Sequence, residues 1–157
     1  MATYTTAIGF NAGSAALPAD SLNKAHRVEI TLDFPKIIAA RAAAGLTALA
    51  ASDILEVIPI PAGSIVSNVG MVVTTAAGVT STLSIGDGSS QVGYLAATTV
   101  NSTGTSGGVP VLSSGAFVPA FSGGKLYVTA DTIDVTLGTA VPAAAVVRVF
   151  AVITDIN

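Results

Sequence analysis

The feature that most constrains this chain is a two-residue alternation of apolar and polar side chains. It recurs from Val28 to Ile153 and is broken every few residues by Gly, Pro or Asp-Gly. Alternation of this period puts every second side chain on one face of an extended strand. In His26–Leu32, Val28, Ile30 and Leu32 share a face, with Arg27, Glu29 and Thr31 opposite. Ile54–Ile60 predicts another strand, with Pro59 and Pro61 marking a strand end or a sheet edge. In Ile65–Thr75 the apolar set is Ile65, Val69, Met71 and Val73, with Ser67 as a flaw in the pattern. Val79, Leu83 and Ile85 face away from Thr80, Thr82 and Ser84, and Asp87-Gly88 signals a turn. Leu126 and Val128 oppose Lys125, Tyr127 and Thr129, and Ile133, Val135 and Leu137 oppose Thr132, Asp134 and Thr136. These two runs predict a hairpin turning at Ala130–Thr132. In Ala145–Ile153 both faces are apolar except at Arg148, which predicts a central strand or one whose outer face meets another subunit.

Helix signals are confined to one place. Asp33-Phe34-Pro35 offers a start, 35–44 is rich in helix formers, and Gly45 offers a stop. Ala-rich Leu46–Ser52 extends the expectation by a turn. Residues 86–124 are loop-rich. Short strands are expected near Val92–Ala96, Val109–Leu112 and Ala116–Val118, and Asn101–Gly108 is the most flexible-looking stretch. Eight to ten short strands in one chain of 157 residues predict an all-β fold. The expected architecture is an antiparallel β-sandwich, jelly-roll-like, with one short N-terminal helix. Residues 26–157 are expected to form the single domain, and 1–25, small, polar and aperiodic, read as an N-terminal arm, with a frayed terminus as the alternative.

The surface is unusual. Charged residues make up 10% of the chain, and no Lys or Arg occurs between Ala42 and Gly124. A soluble domain ordinarily carries about 25–35% charged residues on its surface. The shortfall predicts that copies of the chain, or a larger assembly, cover part of it. Net charge is −3, so no basic patch is available to neutralise phosphates and nucleic acid is excluded as a partner. Mean hydropathy is +0.75, yet no apolar run approaches the roughly 20 residues of a spanning helix, so no membrane partner is expected. Cysteine is absent, and the first ten residues lack the pattern of a secretory signal, consistent with synthesis in a cytoplasm.

Catalytic patterns are missing. His26, the only histidine, has no acid–serine constellation around it in sequence, and no serine sits in a Gly-x-Ser-x-Gly elbow. Asp87, Asp131 and Asp134 lack the acid spacing of a calcium loop. Asp53 with Glu56 is too sparse a pair for glycosidase chemistry. No catalytic residue, cofactor or metal is therefore assigned. Tyr94, Phe117, Phe121 and Tyr127 are the available aromatics for a sugar platform, with core or interface packing as the competing use.

The segment order Val28–Gly45, Ala51–Val73, Thr82–Gly88, Leu126–Leu137 and Val146–Asp155 resembles capsid decoration, or cement, proteins of tailed bacteriophages. The Ile-Pro-x-Gly turn before a Val-rich strand, the Ile-Gly-Asp-Gly turn and the terminal Arg-Val-x-x-x-Val-x-Asp strand carry the resemblance. It implies a non-enzymatic virion protein that assembles as a homotrimer on the outer capsid surface and clamps neighbouring major capsid protein subunits. On that reading the arm supplies capsid contacts, with Thr3, Tyr4, Ile8, Phe10 and Leu17 as candidates. The outer face of the last strand, Phe150 and Val152, supplies the subunit interface. The alternative is a receptor- or glycan-binding module of a phage tail fibre or spike.

Overall fold

A computed structural model describes residues 3–4, 25–107, 120–121 and 123–156. Its elements are β1 (Thr3–Tyr4), β2 (Ala25–Asp33), α1 (Phe34–Ala43), β3 (Ile54–Ile60), β4 (Ser64–Thr75), β5 (Thr82–Asp87), β6 (Ser90–Thr99), β7 (Gly104–Gly107), β8 (Lys125–Tyr127), β9 (Asp131–Leu137) and β10 (Val146–Asp155). They form two sheets. One runs β1-β3-β9-β5-β6; the other runs β2-β10-β4-β7, with β8 also pairing β4. Apart from the parallel β1–β3 pair, all pairings are antiparallel. The fold is the expected all-β sandwich with one short helix. The inward faces meet in a core that includes Leu32, Leu55, Ile58, Met71, Leu83, Ile85, Ile133, Leu137 and Ile153, all buried.

The helix begins where Asp33 accepts a hydrogen bond from the Lys36 amide at 3.2 Å, with Pro35 in the first turn. Phe34, Ile37 and Arg41 fall on its buried face. It ends in a Schellman turn: Gly45 (φ +67°) donates to Ala42 and Leu46 donates to Arg41. The further helical turn expected over Leu46–Ser52 does not form. Arg41 Nε and Nη2 instead hold the Thr47 carbonyl at 3.1 and 2.6 Å, and an irregular connection with a turn at Ala51–Ser52 follows.

Four other expectations are corrected. In β4 the apolar phase changes midway: Val152 pairs Asn68 but Ile153 pairs Val66, leaving Ser67 as a β-bulge. Val66, Val69, Met71 and Val73 therefore enter the core while Ile65 stays half-buried, so the flaw at Ser67 was the bulge itself. Val79 lies in the turn before β5, 54% exposed. Part of the Asn101–Gly108 stretch is a strand, β7, because Gly70–Val73 of β4 offers it an edge. Finally, β8 and β9 are not a hairpin: β8 pairs β4 in one sheet and β9 lies between β3 and β5 in the other. The core takes Tyr127 from β8 and leaves Leu126 51% and Val128 77% exposed. The strands expected at Val109–Leu112 and Ala116–Val118 lie outside the described residues.

The last strand is central, as its two apolar faces require, between β2 and β4. Pro59 is exposed on β3, which among the described residues has β9 on one side and only the two residues of β1 on the other. No helix among the described residues is long and apolar enough to cross a membrane.

Candidate functional site

The densest polar cluster joins the two sheets at the β5–β6 turn. Asp87 ends β5 with its side chain fully buried. Its Oδ1 accepts from the Ser89 and Ser90 amides and the Ser89 hydroxyl at 2.7–2.9 Å, which is the turn chemistry expected of Asp87-Gly88. Its Oδ2 faces the other sheet, where it accepts from Tyr127 Oη at 2.6 Å and from the Lys125 ammonium. Tyr127 spends its proton on Asp87, so at the 2.8 Å contact between the two phenols Tyr94 is the donor. Lys125 also donates to Ser89 and lies over the rings of Phe121 and Tyr127, 4.3 and 4.8 Å from their centroids. Phe121 packs edge-on against Tyr94.

Burial pushes the Asp87 carboxyl up, but the hydrogen bonds from Lys125, Tyr127 and Ser89 outweigh it and hold the group at about 2. Burial raises both phenols, and for Tyr127 the bond to Asp87 adds to that rise. Both tyrosines are protonated donors. The cluster has every part of a clasp: a buried carboxylate with its cation and donors all supplied from within the chain. Three of the four aromatics available for a sugar platform are used here, with Tyr94 and Tyr127 buried and Phe121 half-buried; Phe117 lies outside the described residues.

The other candidate acids do not converge on a ligand. Asp53 is buried and accepts from the Ala50 amide at 2.9 Å. Glu56 and Asp134 are register partners across β3 and β9. Burial pushes Asp134 up to about 6 against a hydrogen bond from Thr132, with Glu56, Asp131 and Asp87 adding repulsion. Among the described residues, no three His, Cys, Asp or Glu side chains are placed to hold a metal ion. His26 is half-buried on β2.

Of the residues assigned to assembly, the described ones lie in two places. Thr3 and Tyr4 extend the first sheet by pairing with Ile54 and Leu55; Ile8, Phe10 and Leu17 lie outside the described residues. Phe150 and Val152 project from the outer face of the second sheet. Phe150 sits opposite Glu29 and Gly70 under the Arg27 guanidinium, which stacks 4.3 Å from its ring and leaves it 8% exposed. Val152 is half-buried beside it. Glu29 receives Arg27 at 2.8 Å and Arg148 at 2.9 Å, forming a charged ladder along this face. Leu126, exposed on β8, pairs Ile65 on the opposite flank. The Arg27–Phe150 stack was not legible in the sequence, because it depends on the register of β2 against β10.

By sequence, no family model and no curated protein matches the chain. Among solved structures, its fold is similar to a chain of one titled "Capsid of Ralstonia phage GP4". The match has a TM-score of 0.60 and 16% identity and covers 99% of each chain. At that identity the likeness is one of fold.

Proposed function

We propose that this protein is a structural component of a phage virion, a decoration or cement protein on the outer face of the capsid. The observation that carries this reading is the fold shared end to end with a chain from a phage capsid. The strand orders support it. With β1 set aside, β3-β9-β5-β6 faces β2-β10-β4 with β7 and β8, and every connection but β5–β6 and β7–β8 crosses between sheets. That is the wrapping of a jelly roll, an architecture used in viral capsids.

Charge favours the outside of a shell. A net charge of −3 repels packaged DNA, so an inner lining is disfavoured. The described residues present internal polar bonding rather than a reactive constellation, which suits a mechanical role without catalysis. Assembly as a homotrimer would multiply weak contacts to neighbouring major capsid protein subunits through effective concentration. The arm, with Thr3, Tyr4, Ile8, Phe10 and Leu17, would supply capsid contacts, and Phe150 and Val152 the contact between copies. The tail-fibre reading gains no support from Tyr94, Phe121 and Tyr127, which are committed to the clasp.

The test is the copy number of this protein in purified source particles relative to the major shell protein. A fixed large fraction, near one per shell subunit, is expected. A handful of copies would favour the tail module, and absence from particles would overturn the virion reading.

A further inference from the structure

Strand β2 ends the second sheet among the described residues. Among the described residues it pairs along one edge only, with β10, and that pairing runs from Asp33 to Ala25 without a register shift. The β4–β10 pairing beside it is shifted twice. A regular nine-residue edge without proline is the kind that pairs with another strand unless something blunts it.

The blunting on this edge is charge, and the charge is self-complementary. Arg27 and Glu29 lie on the outer face, two residues apart, with Val28 between them on the core face. An antiparallel partner related by a two-fold axis at Val28 sets Arg27 of each copy opposite Glu29 of the other. Both side chains are already held: Arg27 by Phe150 and Glu29, and Glu29 also by Arg148. Little ordering remains to be lost on pairing. Val28 is half-buried and packs against the core on the edge that has no partner strand among the described residues. Two Val28 side chains meeting at the axis would continue the apolar layer from one copy into the next. An unrelated strand with like charges at those positions would be repelled.

We propose that β2 pairs with β2 of a second copy about a two-fold axis at Val28, joining the second sheets of the two copies into one. The contact is isologous and uses an edge, so it is separate from the face carrying Val152 and links one assembly to another.

The test uses the full chain in sedimentation equilibrium. Wild type is expected to form species whose mass is an even multiple of the chain. Arg27→Glu sets Glu against Glu across the axis, and Glu29→Arg sets Arg against Arg. Each variant alone should associate roughly tenfold more weakly, as expected when two symmetric charge pairs turn repulsive. Mixing the two variants restores opposite charges at both positions and should restore association. Circular dichroism identifies a variant that has failed to fold, and Val28→Lys, which buries a charge at the axis, gives an independent disruption. Wild type without the two-fold species, single variants that associate as wild type does, or a mixture no stronger than its components would each overturn the proposal.

Discussion

Tyr127 donates a 2.6 Å hydrogen bond to Asp87 forty residues away, and that bond runs from one sheet of the sandwich to the other. Asp87 has no solvent exposure, so its charge is sustained by the donors around it. The sandwich is held by apolar packing throughout, but at this end it is also keyed by a charge that accepts only one arrangement of β8 against the β5–β6 turn.

Tyr127→Phe tests the key. It keeps the ring and removes one donor to a buried carboxylate, and Tyr94 loses its acceptor at the same time. The expected loss is about 2 kcal/mol of unfolding free energy, the range for a hydrogen bond to a charged group. Urea unfolding of the purified variant measures it. A variant as stable as wild type would show that the Asp87 charge does not depend on the phenol.

Gly93→Ala tests the aromatic half of the clasp. A Cβ on Gly93 would lie 2.1 Å from Phe121 Cε2, and the Phe121 amide donates to the Gly93 carbonyl at 2.8 Å. The ring cannot stay against Tyr94 with that methyl present. A loss of about 1–3 kcal/mol is expected, as for other overpacked sites, with a changed near-ultraviolet circular dichroism signal from the tyrosines. An unchanged spectrum would mean that Phe121 has room to shift.

The strands that alternate cleanly were legible in sequence, because each of β2, β9 and β10 keeps one phase from end to end. What was not legible depends on partners. The hairpin expected between β8 and β9 joined two neighbouring alternating runs, but Tyr127 turns inward to meet Asp87, which takes β8 to the opposite sheet. The bulge at Ser67 left a trace, a polar residue out of phase, yet only the β10 register identifies it. The same limit applied to the clasp. Asp87-Gly88 read as a turn and is one, while its second role needs Lys125 and Tyr127 folded over it.

Val152→Glu tests the outer face of β10 as a contact between copies. Val152 is half-buried and pairs Arg27 in register, so the fold tolerates a carboxylate there. Stability should change by no more than about 0.5 kcal/mol, as at other surface positions. Light scattering should show the assembly reduced to the pair joined at β2, and binding to shells lacking the protein should fall with it. An intact oligomer would remove this face from the interface.

Removing residues 1–24 tests the arm. If it supplies the capsid contacts, the truncated chain keeps its sandwich and binds such shells far more weakly. Binding equal to that of the full chain would sink the assignment of Thr3, Tyr4, Ile8, Phe10 and Leu17.

The pH dependence of stability follows from two carboxylates shifted in opposite directions. Asp134 sits at about 6 in the folded protein against an ordinary 3.8, because burial and the neighbouring Glu56, Asp131 and Asp87 oppose its charge. Between those values the folded state binds more protons than the unfolded state. Its contribution is fully present below 3.8 and is lost as the pH rises through about 6. Asp87 is held at about 2, so its contribution is present above 3.8 and is lost as the pH falls through about 2. From these two groups, stability should rise by about 2–3 kcal/mol from neutral pH to about pH 4, then fall in stronger acid. Asp134→Asn keeps the shape and the Thr132 hydrogen bond while removing the charge. It should be more stable than wild type at neutral pH and lose most of the rise toward pH 4. Thermal unfolding across that range distinguishes the two proteins, and a wild type that weakens steadily below neutral pH would show that the Asp134 carboxyl is ionised at little cost in the fold.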